Sequence, residues 1–266
     1  MITGYILLQA MATTAAPASV ADLLPGTFSN EEHAYFEKDA GRPAPPWLSF
    51  RITEKEDQLL LQPIDAFGKN TGAEKTVQIS TGETRSTVQV GDCARFFDRS
   101  GDGWTYATVQ NRKACHQDYQ ITAIAPDGIT LRLNDGTETV LTRARAVECW
   151  AAVPKAKAKA DGSPDWIFAQ KLNLHDQGGR VTVGGGDSGA EPVTLRMRSV
   201  LWPAPSSNRP SMVLYVHKDD PDRAESYSWA DIDASRIGIN LRWMQASCTI
   251  AGAERASEVN ADNFRG

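Results

Sequence analysis

The sequence predicts an all-β protein: an antiparallel meander that closes into a barrel or stacks as a sandwich, preceded by one short N-terminal helix. Three observations carry this. Short segments rich in β-branched and aromatic residues recur along the chain, among them "WLSFRI", "QLLLQPI", "KTVQIS", "CARFFD", "QITAIA", "GITLRL" and "ETVLTRA". Several are separated by hairpin-turn signals: "SGDG" at 100–103, "PDG" at 126–128 and "NDG" at 134–136. Where alternation is clean, as at Ile129, Leu131 and Leu133, its period is that of a half-buried strand.

The helix comes first. In "SNEEHAYFEKDAGRP", Ser29 and Glu32 have the spacing of a capping box, acidic residues fill the first turn, and Gly41 and Pro43 supply the stop. Residues 30–40 are expected to be helical. Strands then run through residues 22–266 as one β-barrel domain, interrupted by an exposed connector over 151–165, where Lys alternates with Ala between Pro and Gly. Beyond it, "DWIFAQKLNL", "RVTVGG", "VTLRMRSVLW", "SMVLYVHK", "ESYSWAD" and "GINLRWMQ" again read as strands. They form either the rest of the barrel or a second subdomain. In the last of them the phase slips at Trp243-Met244, which reads as a β-bulge bending the strand.

Composition narrows the function classes. The 266-residue chain is 41% hydrophobic and 23% charged, enough to bury a substantial core, and its net charge of −5 argues against a nucleic-acid partner. No apolar run is long enough for a membrane-spanning helix. Residues 1–21 read as a signal peptide without its basic start, or as a disordered tail; Ala18-Ser19-Val20-Ala21 fits a cleavage site. Export to the periplasm or outside the cell is the expectation.

Four cysteines (Cys93, Cys115, Cys149, Cys248) allow three pairings. Cys93 and Cys115 bracket what reads as a hairpin, so a bridge between them leaves Cys149 to pair with Cys248. No Cys-x-x-Cys pair occurs and the four histidines are scattered, so no metal site is expected. The glycine-dense "VTVGGGDSGAEP" reads as a hairpin tip, because a strand and not a helix follows it. His175-Asp176 before Gly178-Gly179 reads as a turn held by the Asp side chain, since no nucleophile motif accompanies the pair.

The richest stretch is "LYVHKDDPDRAESYSW". Tyr215 and His217 share one face of a strand; Arg223, Tyr227 and Trp229 follow a turn, and Asn240 and Arg242 lie on the next strand. Together they would form an aromatic and cationic wall for a flat anionic ligand. The competing reading makes them outward polar residues on a solvated sheet face.

One resemblance adds to this. "LLPGTFSNEEHAYFEKDAGRP" resembles the opening of the CpcT/CpeT-type phycobiliprotein chromophore lyase family, where a Gly-x-aromatic-x-Asn segment leads into a helix; Asn30 holds the Asn position and His33 that of the family's Gln. "GDCARFFDRSGDGWTYATVQNRKAC" resembles its paired-cysteine hairpin, and "LYVH" its Tyr-Val-Glu strand with His217 at the Glu. The likeness is clearest over residues 23–150. It implies a lipocalin-like antiparallel barrel, often a homodimer, that binds an open-chain tetrapyrrole (a bilin) and attaches it to a protein cysteine, a carbon–sulfur lyase activity. It would make Arg223 and Arg242 partners of the propionates, with Tyr215, Tyr227 and Trp229 as ring contacts. The function expected is therefore bilin lyase-like, or binding of a tetrapyrrole-like anionic molecule, with no cofactor beyond that ligand. The alternative is a non-catalytic exported envelope protein whose barrel is packed solid.

Overall fold

The computed structural model describes residues 18–56, 58–108 and 118–251. Cys115, and with it the expected Cys93–Cys115 bridge, lies outside these residues, as does most of the expected signal segment.

Ten strands close into an antiparallel barrel: β1 (Gly26–Ser29), β2 (Ser49–Lys55), β3 (Gln58–Pro63), β4 (Lys75–Ser80), β5 (Arg85–Val90), β6 (Cys93–Ser100), β7 (Gly103–Ala107), β8 (Tyr119–Ala125), β9 (Gly128–Leu133) and β10 (Glu138–Ala144). β2 to β10 form a meander, and the four-residue β1 closes it by pairing with β2 on one side and β10 on the other. The predicted turn signals fall between β6 and β7, β8 and β9, and β9 and β10. Two of them are two-residue loops: Gly101-Asp102, where Ser100 pairs with Gly103 and Gly101 takes φ +62°, and Pro126-Asp127, where Ala125 pairs with Gly128. The interior is filled by large side chains, including Phe28, Phe50, Leu61, Phe97, Trp104, Ile129 and Leu141, all nearly or fully inaccessible to solvent. Such packing is that of a small barrel whose core is made of side chains.

A short helix, α1 (Val20–Leu23), joins this core: Val20, Leu23 and Leu24 pack with the barrel residues. Ser19 and Asp22 form its capping box, and the Trp104 indole donates to the Ala18 carbonyl at 3.3 Å. Residues 18–24 are thus part of the folded body, and a cut after Ala21 would fall inside α1.

The predicted helix is α2 (Glu31–Asp39). Its capping differs from expectation. Asn30 is the N-cap and its side chain makes no capping bond; Ser29 Oγ accepts from Glu31 N at 3.2 Å, and the Ser29–Glu32 capping box does not form. Glu32 is instead drawn to Arg198 far along the chain.

The barrel ends at Ala144, because β1 already occupies the free edge of β10. The barrel therefore spans part of 22–266, and the remaining strands form a two-sheet sandwich. One sheet has the order β12 (Trp166–His175), β11 (Ala146–Pro154), β18 (Met244–Ile250), β17 (Arg236–Leu241). The other runs β13 (Gln177–Val183), β14 (Val193–Val200), β15 (Ser211–His217), β16 (Ser226–Asp231). Val147, Ala151 and Ile250 from the first sheet meet Leu195, Met197, Leu214 and Val216 from the second. Residues 151–154, expected in the connector, are the buried end of β11; the exposed loop begins after Pro154. Cys149 and Cys248 face each other on neighbouring strands and form a disulfide, with Cα atoms 4.0 Å apart. The slip at Trp243-Met244 is a hairpin turn, not a bulge: Leu241 pairs with Met244, leaving Arg242-Trp243 as a two-residue loop.

Candidate cleft between the barrel and the sandwich

Strand β14 has two buried faces. Leu195 and Met197 enter the sandwich core, while Arg196 and Arg198 alternate with them onto the outer face, where α2 lies against the sheet. The helix supplies the acids that two buried guanidiniums require. Glu31 pairs with Arg196, and Glu32 with Arg198; Arg198 also lies 3.3 Å from Glu31. Glu32 accepts a further bond from Leu201 N at 3.2 Å, and the Arg198 guanidinium stacks 3.9 Å from the Tyr35 ring centroid. Burial pushes the Glu32 carboxyl above its ordinary value, against the pull of Arg198. It also brings Arg196 down to about 10, with the charge of Arg198 adding to the effect.

Cross-strand register organises this outer face into rows. Arg180, Arg196, Tyr215 and Tyr227 are successive partners across the four strands, and Arg198, Val213 and Trp229 form the next row. The Tyr215 and Tyr227 rings are 6.2 Å apart, Tyr227 and Trp229 5.9 Å, and Trp229 stacks on Trp202 at 6.1 Å. Of the residues expected in one polar wall, the structure therefore brings together Tyr215, His217, Tyr227 and Trp229. Tyr215 is half-buried, Tyr227 and Trp229 are exposed, and His217 is buried with both ring nitrogens unpartnered. Burial is the main cause of its lowered pKa, followed by the charges of Arg180 and Arg196; the nearby carbonyls of Arg223 and Asp220 pull the other way without reaching hydrogen-bond geometry.

The rest of the expected wall is dispersed. Arg223 is exposed in the turn between β15 and β16, its backbone N–H bound to Asp220. Asn240 is exposed on the opposite sheet and Arg242 in the turn that follows it, because β17 pairs with β18 and not with β16. Ile237, Ile239 and Leu241 take the inward positions of β17, so Asn240 faces solvent.

Where α2 and the loops after it meet β13 and β14, a cleft of about 890 Å³ opens. Its walls are aromatic: Tyr35 from α2, Trp47 from the segment before β2, and Phe67 from the loop after β3, each at least 40% exposed. Arg180 and Arg196 line it from the sheet, and Lys38 from the helix. Four acids, Glu31, Asp39, Asp65 and Asp222, also line it. Asp65 is engaged in its own loop, accepting from Phe67 N and Lys69 N at 2.9 Å each. The Trp47 indole is oriented by donating to Ser29 Oγ at 3.1 Å.

A smaller cleft of about 380 Å³ adjoins it, lined in part by Arg51, Asn173, His175 and again Arg180. His175 is buried and neutral, its pKa pushed down to about 4 by desolvation. Asp176 is structural: it accepts from Arg145 N, Arg145 Nε and Ser199 Oγ, tying the chain after the barrel to β14. The glycine-dense segment is a hairpin tip between β13 and β14. Among the described residues, no group of three or more His, Cys, Asp or Glu is placed to hold a metal, and no helix is long and apolar enough to cross a membrane.

Sequence reasoning missed the residues that build the cleft: Tyr35, Trp47, Phe67, Arg180 and Arg196. One signal was present. In "VTLRMRSV" arginines alternate with apolar residues on a strand, and the Glu31-Glu32 pair upstream offered two carboxylates to match. No family model, no curated protein and no solved structure matches this chain.

Proposed function

We propose that this chain is a ligand-binding β protein whose site is the cleft outside the barrel, and that its ligand is a flat conjugated molecule of the tetrapyrrole-like class. The carrying observation is the cleft itself: three part-exposed aromatic rings around a volume of about 890 Å³, with two arginines at its base. That volume lies in the range of small-molecule sites, roughly 300–1,000 Å³. Exposed Tyr, Trp and Phe side chains on a fixed scaffold are the groups on which planar ligands stack. The barrel interior, filled by Phe28, Phe97, Trp104 and their neighbours, is the poorer place for a ligand. Export belongs to the same proposal, and the Cys149–Cys248 bridge agrees with it.

The test is an absorbance titration with biliverdin. Binding gives a red-shifted, saturable band, and Trp47→Ala or Phe67→Ala weakens it at least tenfold, about 1.4 kcal/mol. Absence of any spectral change at tens of micromolar biliverdin sinks the reading. Transfer to a protein thiol, which the family resemblance implies, is checked by whether colour follows an added acceptor protein through denaturing electrophoresis.

A second reading, an interaction role without a small ligand, is favoured by exposed Tyr227 and Trp229 on β16, with half-buried Trp202 stacked on Trp229. In that case Trp229→Ala abolishes association while biliverdin has no effect.

A further inference from the structure

We infer that the base of the cleft is a carboxylate subsite built by Arg180 and Arg196. The inference rests on the reading of the cleft as a ligand site and adds the chemistry of one ligand group. Arg180 on β13 and Arg196 on β14 are cross-strand partners, so their side chains leave the same face of the sheet side by side. Both line the cleft.

Each guanidinium is only partly satisfied. Arg196 is 8% exposed; its Nη2 is held by Glu31, but its Nε is buried and has no acceptor. Arg180 donates Nη1 to the Pro221 carbonyl at 3.2 Å, while its Nε is also buried and unmet. Among the described residues Arg180 has no ion pair. Asp222 is close enough to favour its charged form without reaching it. A buried guanidinium with an unmet donor is under-satisfied, and two of them on adjacent strands offer one carboxylate a paired cationic site where they line the cleft.

Charge selects a carboxylate over a more highly charged group. The cleft already holds Lys38, Arg180 and Arg196 against Glu31, Asp39, Asp65 and Asp222. A single negative charge fits between the arginines; a phosphate dianion meets repulsion from the four acids. His217, buried on the same face, is kept neutral by burial and by both guanidiniums, and so adds no third cation.

The probe is benzoate, a flat ring with one carboxylate, compared with benzamide, its uncharged analogue of the same shape. Arginine Nε–Hε resonances are followed by nitrogen-edited NMR. Benzoate is expected to shift the Arg180 and Arg196 signals saturably and to bind at least tenfold more tightly than benzamide. In Arg180→Gln the two probes become equal. No saturable shift with benzoate, equal affinities in the unmodified protein, or a preference that survives Arg180→Gln would each overturn the inference, as would inorganic phosphate binding as well as benzoate. The comparison in the unmodified protein decides even if Arg180→Gln does not fold. A benzoate preference together with no response to biliverdin keeps the subsite and rejects the larger ligand; the reverse keeps the ligand site and rejects the subsite.

Discussion

Glu32 in the first turn of α2 and Arg198 near the end of β14 form a buried ion pair across 166 residues of chain. The pair fixes the helix from the barrel half onto the outer face of the sandwich, and the cleft exists because of that docking. Removing one partner leaves the other charge buried, so Glu32→Gln is expected to cost about 3 kcal/mol in urea unfolding. The paired change Glu32→Met with Arg198→Met recovers most of it, because the desolvation cost disappears along with the attraction. If Glu32→Gln unfolds like the unmodified protein, the pair does not hold the two halves together.

The pH dependence has a definite sign. His175 titrates at about 4 in the folded chain against 6.5 for the free side chain. The unfolded state therefore takes up a proton that the folded state refuses. The resulting stability is full above 6.5 and is lost as pH falls toward 4, by about 3 kcal/mol in all. Glu32, with its pKa raised above 4.5, contributes the opposite slope just above that value. His175→Gln isolates the histidine: its unfolding midpoint should fall less between neutral pH and 4.5 than that of the unmodified protein.

The Cys149–Cys248 bridge closes a loop with a sequence separation of 99. On the chain-entropy account a loop of this size contributes about 4.7 kcal/mol. The double change Cys149→Ala with Cys248→Ala is expected to lose most of that in denaturant unfolding. A loss below about 1 kcal/mol would mean that register between β11 and β18 alone orders the strands.

Truncation tests the contribution of α1. A chain beginning at Ala18 keeps the α1 capping box and the buried Val20; one beginning at Asp22 loses both. The longer chain should melt like the full protein, and the shorter one should be destabilised by at least about 2 kcal/mol, the cost of a cap and a buried valine. Equal melting temperatures would show that α1 adds nothing.

Much of the barrel was legible because its information is local. Strands of period two and turns rich in Gly, Asp and Asn are written within a few residues, as the hairpin at Gly101-Asp102 shows. What was not legible depends on distant partners. That β17 joins the sheet of β11, away from Tyr215, follows from its pairing with β18 and from the β11–β18 ladder. The capping box at Ser29 and Glu32 was locally sound and lost to Arg198, an interaction no window around the helix contains. Arg180 and Arg196 become neighbours only once β13 and β14 pair.

The most direct measurement of where this protein binds uses two indole N–H signals. The Trp47 indole lines the cleft, while the Trp104 indole reports the barrel interior through its bond to Ala18. During a biliverdin titration followed by nitrogen-edited NMR, the Trp47 signal should move in step with saturation while that of Trp104 stays fixed. A shift of Trp104 with Trp47 unmoved would place the ligand in the barrel and contradict the cleft as the site.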